Sequence, residues 1–337
     1  MKFTLIVTTF NSESYVDSAI QSALNQSRKP DEIIICDDNS KDGTINICNK
    51  YKEFFSIHIN HRGPSGYTKA FNYALELGKG DYITILHFDD VLHPDFFYQA
   101  EQGFSKYPQC RFLITQNFYF KDDDYNFIPI NEDEEMLLFM KGEDYALSYL
   151  EGVKTNNHIN RCPGTIFHRS LTKQLKFREE AGLISDDDLF YRVGGLSDVI
   201  RIIKPLAGVR SHAESESAKL NPFKISKTLS QGYSFMAKDW HEKSIIGKEG
   251  KRFFLESFFK HNFRLLYWAS INNSYPDVQR SVELNHDIRL LYDGEETKYS
   301  RNYQRIVFLC AENKLFFFLK VIFSIHYHFS NWKRKHL

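Results

Sequence analysis

Along the first ninety residues, short apolar runs alternate with segments whose apolar positions recur every three or four residues. The apolar runs have the length of strands, and they begin at Phe3, Glu32, Ser56 and Tyr82. Helical spacing is found between them, at 15–24, 43–54 and 65–77. Ser65 can cap the third helix, and Gly78 ends it. Alternation of this kind predicts an α/β fold, with a parallel sheet and right-handed crossovers.

The pattern changes after residue 105. Strands are predicted at 110–120 and 200–206, and another strand follows the turn Cys162-Pro163-Gly164. Helices are predicted at 136–150, from Ser170 and at 185–192, whereas the acid-rich segment 121–135 is typical of a solvated loop. From about residue 219 the pattern is mainly helical. The chain therefore divides into an α/β domain at 1–218, with halves that meet near residue 105, and a helical region at 219–337.

The last predicted helix, at about 312–335, has a wide apolar face and a narrow polar stripe. It ends in the basic run Lys333-Arg334-Lys335. An amphipathic helix with a basic flank is typical of peripheral contact with a membrane surface. The alternative is a helix that docks on the α/β domain or on a second subunit of a homo-oligomer.

Charge and cysteine content narrow the function classes. Lysine and arginine total 43, as do aspartate and glutamate, so the balance indicates no nucleic-acid binding. Five scattered cysteines without metal-finger spacing predict reduced thiols in the cytoplasm. The first strand begins too early for a signal peptide to precede it, and no apolar run is long enough to span a membrane.

Mainly polar segments follow three of the predicted strands. They are Thr8-Thr9-Phe10-Asn11, Asp37-Asp38-Asn39-Ser40 and Asp89-Asp90. The carboxyl ends of parallel strands meet at one sheet edge, where α/β proteins bind ligands. Two adjacent carboxylates repel each other unless a cation or hydrogen-bond donors hold them. The acid pair therefore predicts a bound Mg²⁺ or Mn²⁺, an ion that commonly bridges phosphate groups. The alternative is an acidic cap on the helix that follows Pro94.

Glycine-rich phosphate loops are absent from the sequence: no GxGxxG follows the first strand, and there is no GxxxxGK[ST]. We therefore expect a metal ion to hold the phosphates of a nucleotide, with help from Arg62 or Lys69. The acids at 186–188, at the head of a predicted helix, either stabilise its N-terminus or include a catalytic base.

The order and spacing of these motifs resemble glycosyltransferase family 2, whose members are inverting enzymes with the GT-A fold. The motifs that carry the resemblance are Val7 to Asn11, Cys36 to Thr44, and Gly80-Asp81-Tyr82-Ile83 leading to Asp89-Asp90. The resemblance covers about residues 2–217. It implies a Rossmann-like sheet and a nucleotide-sugar donor, which we expect to be a UDP-sugar.

The resemblance also implies roles for individual residues. Thr8 and Phe10 would line the base pocket, Asp38 would accept a hydrogen bond from the base, and Asp89 would lie near the ribose or the metal. Asp90 would bind Mn²⁺ or Mg²⁺ directly. His212, in Arg210-Ser211-His212, would be a second metal ligand on the diphosphate side, and Cys162-Pro163-Gly164 would form a wall of the acceptor pocket.

Asp186 matches the family's catalytic base, which precedes a Leu-x-x-Arg stretch like Leu189 to Arg192; Asp187 and Asp188 are the alternatives. Inverting transfer needs a carboxylate that deprotonates the acceptor and a metal ion that stabilises the leaving diphosphate. The chain departs from the family pattern at His87, where an acid is usual, and at Phe71, where an arginine is common.

These features predict a metal-dependent hexosyl- or N-acetylhexosaminyl-transferase of bacterial surface polysaccharide synthesis, such as capsule or lipopolysaccharide synthesis. It would act at the inner face of the cytoplasmic membrane on a glycan or a lipid-linked saccharide. The alternatives are a non-catalytic GT-A scaffold and a nucleotidyltransferase of similar fold.

Overall fold

In the described part of the chain, a nine-stranded mixed sheet forms the framework of the first of two units. The computed structural model describes residues 1–61, 63–121, 125–130, 136–155, 162–212, 221–243, 248–291, 310–311 and 318–319. The strands are β1 (Phe3–Thr9), β2 (Glu32–Asp37), β3 (Ser56–Ile59), β4 (Tyr82–His87), β5 (Val91–Leu92), β6 (Phe112–Phe120), β7 (Leu137–Met140), β8 (Thr165–His168) and β9 (Val199–Arg210).

Helices connect these strands, and further helices follow the last strand as far as residue 291. They are α1 (Val16–Leu24), α2 (Thr44–Cys48), α3 (Tyr67–Leu77), α4 (Phe96–Lys106), α5 (Gly142–Thr155), α6 (Arg169–Thr172), α7 (Ser185–Gly194), α8 (Pro222–Lys243), α9 (Lys248–Ile271) and α10 (Tyr275–Leu291). None of the described helices is both long enough and apolar enough to cross a membrane.

The sheet has a parallel half and a mixed half. Its order is β3-β2-β1-β4-β8-β6-β9-β5, and β7 also pairs with β9. Strands β3, β2, β1 and β4 are parallel, and every residue of β1 is buried because helices cover both faces of this half. In the mixed half, β8 runs antiparallel to both β4 and β6, while β6 and β9 are parallel. The predicted α/β fold is confirmed, and its mostly parallel character is concentrated in the first four strands.

Two predicted helices differ from the structure. Residues 136–150 do not form one helix, because Leu137–Met140 is strand β7, antiparallel to β9, and α5 begins only at Gly142. The helix predicted at 43–54 is α2 followed by a 3-10 turn at Asn49–Tyr51. In both segments, the pairing or packing partners lie far away in the sequence, so local spacing did not distinguish the two structures.

The chain forms two compact units. The sheet unit comprises residues 1–179 and 186–215, and the helical unit comprises 180–185 and 216–337. The division into an α/β domain at 1–218 and a helical region at 219–337 remains a prediction. The predicted amphipathic helix at 312–335 lies almost entirely outside the described residues.

A buried polar network joins helices α8, α9 and α10 of the helical unit. The side-chain carbonyl of Asn262 on α9 accepts hydrogen bonds from Ser230 of α8 and Ser281 of α10, each at 2.9 Å. The Asn262 amide donates to the backbone carbonyl of Ser281 at 2.9 Å. All three side chains are fully buried, so these bonds fix how the helices align.

Candidate active site

The acid pair lies in a tight turn directly after β4. The backbone N–H of Asp90 donates to the carbonyl of His87 at 3.2 Å, which returns the chain on itself within four residues. His87, Asp89 and Asp90 each offer a ligand atom, and these atoms all lie within 4.8 Å of one another. Asp90 is buried, with 4% of its surface exposed. Carboxylate oxygens with one imidazole nitrogen are a donor set that suits Mn²⁺, so the residues fit the expected ion.

The alternative reading of the acids, as a cap on the next helix, is wrong. Strand β5 (Val91–Leu92) follows the acid pair at once, and Asp95 occupies the N-cap position of α4. Neither Asp89 nor Asp90 therefore lies at a helix end.

Arg210, the last residue of β9, braces the acid turn. Its backbone N–H donates to Asp90 Oδ1 at 3.0 Å, and its Nε donates to the backbone carbonyl of Asp89 at 3.0 Å. The guanidinium lies 4.5 Å from the centre of the Phe120 ring and 5.2 Å from that of Tyr15. Buried arginine held by aromatic faces is rigid. Sequence reasoning gave Arg210 no role of its own, although its place two residues before His212 marked it.

His212 reaches the same cluster from the chain after β9. Its Nε2 lies 2.8 Å from Asp89 Oδ2, and its ring packs on Tyr15 with the ring centres 4.6 Å apart. The structure thus brings His212 to the acid pair across 123 positions of sequence. The contact made is with Asp89; the metal-ligand role of His212 remains a prediction.

The second acid motif contains one structural carboxylate and one pocket carboxylate. Asp37 is fully buried and accepts hydrogen bonds from Thr9 Oγ1 at 2.8 Å, Ser40 Oγ at 2.6 Å and Ser40 N at 2.8 Å. These bonds tie the end of β1 to the end of β2. Asp38 instead accepts from Asn60 Nδ2 at 2.7 Å and from the backbone and hydroxyl of Ser65.

Ser65 therefore does not cap a helix, contrary to the sequence prediction. Its hydroxyl is bound to Asp38, and α3 begins at Tyr67 after Gly66, whose φ of +83° favours glycine. Thr8 is buried and Phe10 is exposed at the same sheet edge.

The two basic residues proposed for the phosphates have different outcomes. Lys69 Nζ lies 3.5 Å from Glu179 Oε1, and both side chains are more than half exposed. An exposed pair of this kind contributes little stability, so Lys69 remains available to a ligand. Arg62 lies outside the described residues.

The three acids at the start of α7 have distinct surroundings. Asp188 is fully buried, accepts from Arg178 Nε at 2.8 Å and forms an ion pair with Arg192 at 2.9 Å. Asp187 accepts the Tyr149 hydroxyl at 2.6 Å. Asp186 is partly exposed and accepts the backbone N–H of Asp187 at 2.9 Å. Asp188 is thus a structural anion, and Asp186 is the member of the three with the least side-chain engagement in the described contacts.

Burial also sets the state of the cysteines. Burial, reinforced by the nearby Asp38 and Asp37, raises the pKa of Cys36 to about 12. Burial likewise raises the pKa of Cys48 to about 12. Cys162, in the predicted acceptor wall, is buried at the start of the turn before β8. None of the five cysteines forms a disulfide in the structure.

Comparison with known proteins agrees with this geometry. The sequence model of the family described as glycosyl transferase family 2 matches residues 4–195. The chain is 35% identical to the uncharacterized glycosyltransferase RT0329 of Rickettsia typhi over 266 residues, which cover 77% of this chain and 80% of that protein.

The chain is also similar to part of one further relative and, in fold, to a solved structure. The UDP-Glc:alpha-D-GlcNAc-diphosphoundecaprenol beta-1,3-glucosyltransferase WfaP of Escherichia coli is 35% identical over 121 residues, 36% of this chain; the match covers only 45% of WfaP. The crystal structure of S. aureus TarS 1-349 in complex with UDP-GlcNAc superposes with a TM-score of 0.62 at 18% identity, covering 86% of this chain and 81% of that chain. This likeness confirms the predicted GT-A fold.

Proposed function

The chain belongs to glycosyl transferase family 2, and from that premise we propose that it transfers a sugar from a UDP-sugar to a hydroxyl group of a glycan or lipid-linked saccharide. The observation that carries the proposal is the turn at His87–Asp90. It presents a metal-competent donor set at the carboxyl end of β4, and Arg210 braces it from β9. The ends of β1 and β2 lie beside it, joined through Thr9 and Asp37.

The UDP-sugar would bind along the sheet edge formed by the carboxyl ends of β1, β2 and β4. Thr8, Phe10 and Asp38 would form the base pocket, with Asp89 near the ribose and Lys69 near the phosphates. Asp38 is already fixed by Asn60 and Ser65, so its carboxylate is oriented before a base arrives. Preorganised acceptors of this kind cost little to reorganise on binding.

Asp90 would bind the metal ion, and His212 would approach it on the diphosphate side. A divalent ion at this point stabilises negative charge on the departing diphosphate. The chain's own contribution is to hold the acid turn in place. Arg210 donates its backbone N–H to the Asp90 carboxylate and its Nε to the backbone carbonyl of Asp89.

Asp186 would be the base that removes the proton from the acceptor hydroxyl. The neighbouring acids are engaged elsewhere, Asp187 with Tyr149 and Asp188 with Arg178 and Arg192. A partly exposed carboxylate at the head of a helix is accessible to a hydroxyl group. The choice of Asp186 over its two neighbours therefore rests on contacts rather than on the motif alone.

The names of relatives support the donor and the pathway. WfaP is named for UDP-Glc and a diphosphoundecaprenol acceptor, and TarS was crystallised with UDP-GlcNAc. We extend this to surface polysaccharide synthesis, including capsule and lipopolysaccharide, at the inner face of the cytoplasmic membrane. The amphipathic segment at 312–335 would then contact the membrane surface.

A thermal-shift screen of the purified chain tests the donor assignment. UDP, GDP, CDP and UDP-sugars are compared, each with and without Mn²⁺. A ligand present at about 100 times its dissociation constant stabilises the folded state by about 2.7 kcal/mol. For a unit of this size that corresponds to a rise of roughly 5 to 10 °C in the melting temperature.

We expect a shift that needs both UDP and Mn²⁺, followed by release of UDP from one UDP-sugar when a saccharide acceptor is added. No shift with any nucleotide would contradict the proposal and favour a scaffold. Release of pyrophosphate from a nucleoside triphosphate would instead identify a nucleotidyltransferase.

A further inference from the structure

His87 is the last residue of β4, and the turn that follows brings the Asp90 carboxylate back to it. His87 Nδ1 lies 3.6 Å from Asp90 Oδ2. That distance is longer than a hydrogen bond, but both atoms can lie about 2.1 Å from one shared cation. The side chain of His87 is 28% exposed and that of Asp90 is 5% exposed, so an ion between them would be reached by solvent mainly past His87.

An aromatic cluster fixes the plane of the His87 ring. The ring of Phe71, on α3, stacks on the imidazole with centres 4.8 Å apart and an angle of 23° between the planes. Phe71 itself is held edge-on by Phe177 at 5.3 Å and by Tyr67 at 5.9 Å. Stacking leaves the ring edge, with its nitrogens, as the part of the imidazole that can face a ligand.

His87 and Phe71 are also the two positions at which the chain departs from the pattern it otherwise resembles. The structure shows that these two departures touch each other, although they lie on different elements, α3 and β4. The pair is therefore one local arrangement rather than two independent changes.

We propose that His87 is a ligand of the metal ion through Nδ1, that Phe71 is the positioning residue that orients it, and that the site consequently selects Mn²⁺ over Mg²⁺. The proposal rests on the proposed function only for the presence of a divalent ion. Imidazole nitrogen is a good ligand for transition metals, whereas Mg²⁺ strongly favours oxygen. A mixed nitrogen and oxygen site therefore discriminates between the two ions.

Pulsed electron paramagnetic resonance of bound Mn²⁺ tests the ligand directly, because a coordinated ¹⁴N nucleus modulates the electron spin echo. The full chain is loaded with Mn²⁺, with and without saturating UDP. The wild type is compared with His87→Asn, His212→Asn and the control His61→Asn, which changes an exposed histidine away from the turn. Circular dichroism and melting curves confirm that each variant is folded.

We expect the ¹⁴N modulation to fall in His87→Asn and to be unchanged in His61→Asn. Titration should show Mn²⁺ binding weakened at least about tenfold in His87→Asn, with a smaller change for Mg²⁺. A modulation in His87→Asn equal to that of the wild type would overturn the proposal. So would the absence of Mn²⁺ binding by the wild type in the presence of UDP.

Phe71→Leu separates the positioning role from the ligand role. We expect it to keep the ¹⁴N modulation and to weaken Mn²⁺ binding a few fold, because the imidazole plane is no longer fixed. Wild-type affinity in Phe71→Leu would refute the positioning role. If the wild type transfers sugar but His87→Asn keeps the wild-type ¹⁴N modulation, this inference alone is overturned. If the ¹⁴N modulation is lost in His87→Asn as expected but the wild type transfers no sugar, the proposed function alone is overturned.

Discussion

Asparagine substitution at Asp188 and at Asp186 should separate a structural carboxylate from the proposed catalytic base two residues away. Asp188 is fully buried and contacts both Arg178 and Arg192, whose side chains are 19% and 14% exposed. Asp188→Asn keeps the shape of the side chain but removes the buried negative charge that both of these largely buried arginines contact. Asp186→Asn removes a partly exposed charge and keeps an oxygen that can accept from the Asp187 backbone.

The expected magnitudes differ strongly. Removing one partner of a buried ion pair costs about 3 to 5 kcal/mol, whereas surface substitutions cost about 0.5 kcal/mol or less. In a unit of roughly 200 residues, the larger cost lowers the melting temperature by roughly 6 to 20 °C. Loss of a general base should slow transfer by a factor of about 100 to 10,000.

The assay pairs melting curves with the rate of sugar transfer, measured well below the melting temperature of the weaker variant. Glu76→Gln is the matched control, because Glu76 pairs with Lys176 at 2.6 Å but both side chains are well exposed. We expect that control to change neither quantity. An Asp188→Asn protein that melts within about 2 °C of the wild type would refute the burial argument, because a shift of that size corresponds to the roughly 0.5 kcal/mol expected of a surface substitution. An Asp186→Asn protein that retains full transfer would refute the assignment of the base.

Two further predictions concern the helical unit. Burial, with Arg264 and Lys260 nearby, lowers the pKa of His261 to about 3. The unfolded chain therefore takes up a proton near pH 6.5 that the folded chain does not. The contribution to the free energy of unfolding is complete above that pH and is lost as the pH falls towards 3. Denaturant titrations from pH 7 to 4 should show this decrease in the free energy of unfolding, and the decrease should be smaller in His261→Gln. Asn262→Ala should lower the free energy of unfolding by about 1 to 3 kcal/mol, because it removes the buried side-chain oxygen to which Ser230 and Ser281 donate. Asn272→Ala, at an exposed asparagine, should cost less than about 0.5 kcal/mol. Equal denaturation midpoints for these two alanine variants would contradict the role given to the network.

The sequence predicted the parallel half of the sheet well because each of its elements is specified locally. An apolar run such as β1 is buried on both faces, so its strand character is visible without knowledge of its partners. The residues at the ends of β1, β2 and β4 were also placed correctly, since parallel strands must bring their ends together. Strand β7 was missed because it is defined by pairing with β9, about sixty residues later.

The site shows the same limit in finer detail. Three consecutive aspartates at 186–188 look alike in a sequence, and only the positions of Tyr149, Arg178 and Arg192 distinguish them. Ser65 fits the composition of a helix cap, but it is bound to Asp38 instead. Tertiary contacts outweighed local preference at both places.

The late position of β9 in the chain has a consequence for biosynthesis. Arg210 braces Asp90 from 120 positions further along, so a chain elongating at 5–20 residues per second would expose the acid turn for roughly 6 to 24 s before its brace leaves the ribosome. Strands β5, β6 and β7 likewise pair with β9, which is synthesised after all three. A nascent chain that is terminated before Val199 thus carries both acids of the turn but lacks the strand that holds them. The candidate metal site is therefore among the last parts of the sheet unit to form.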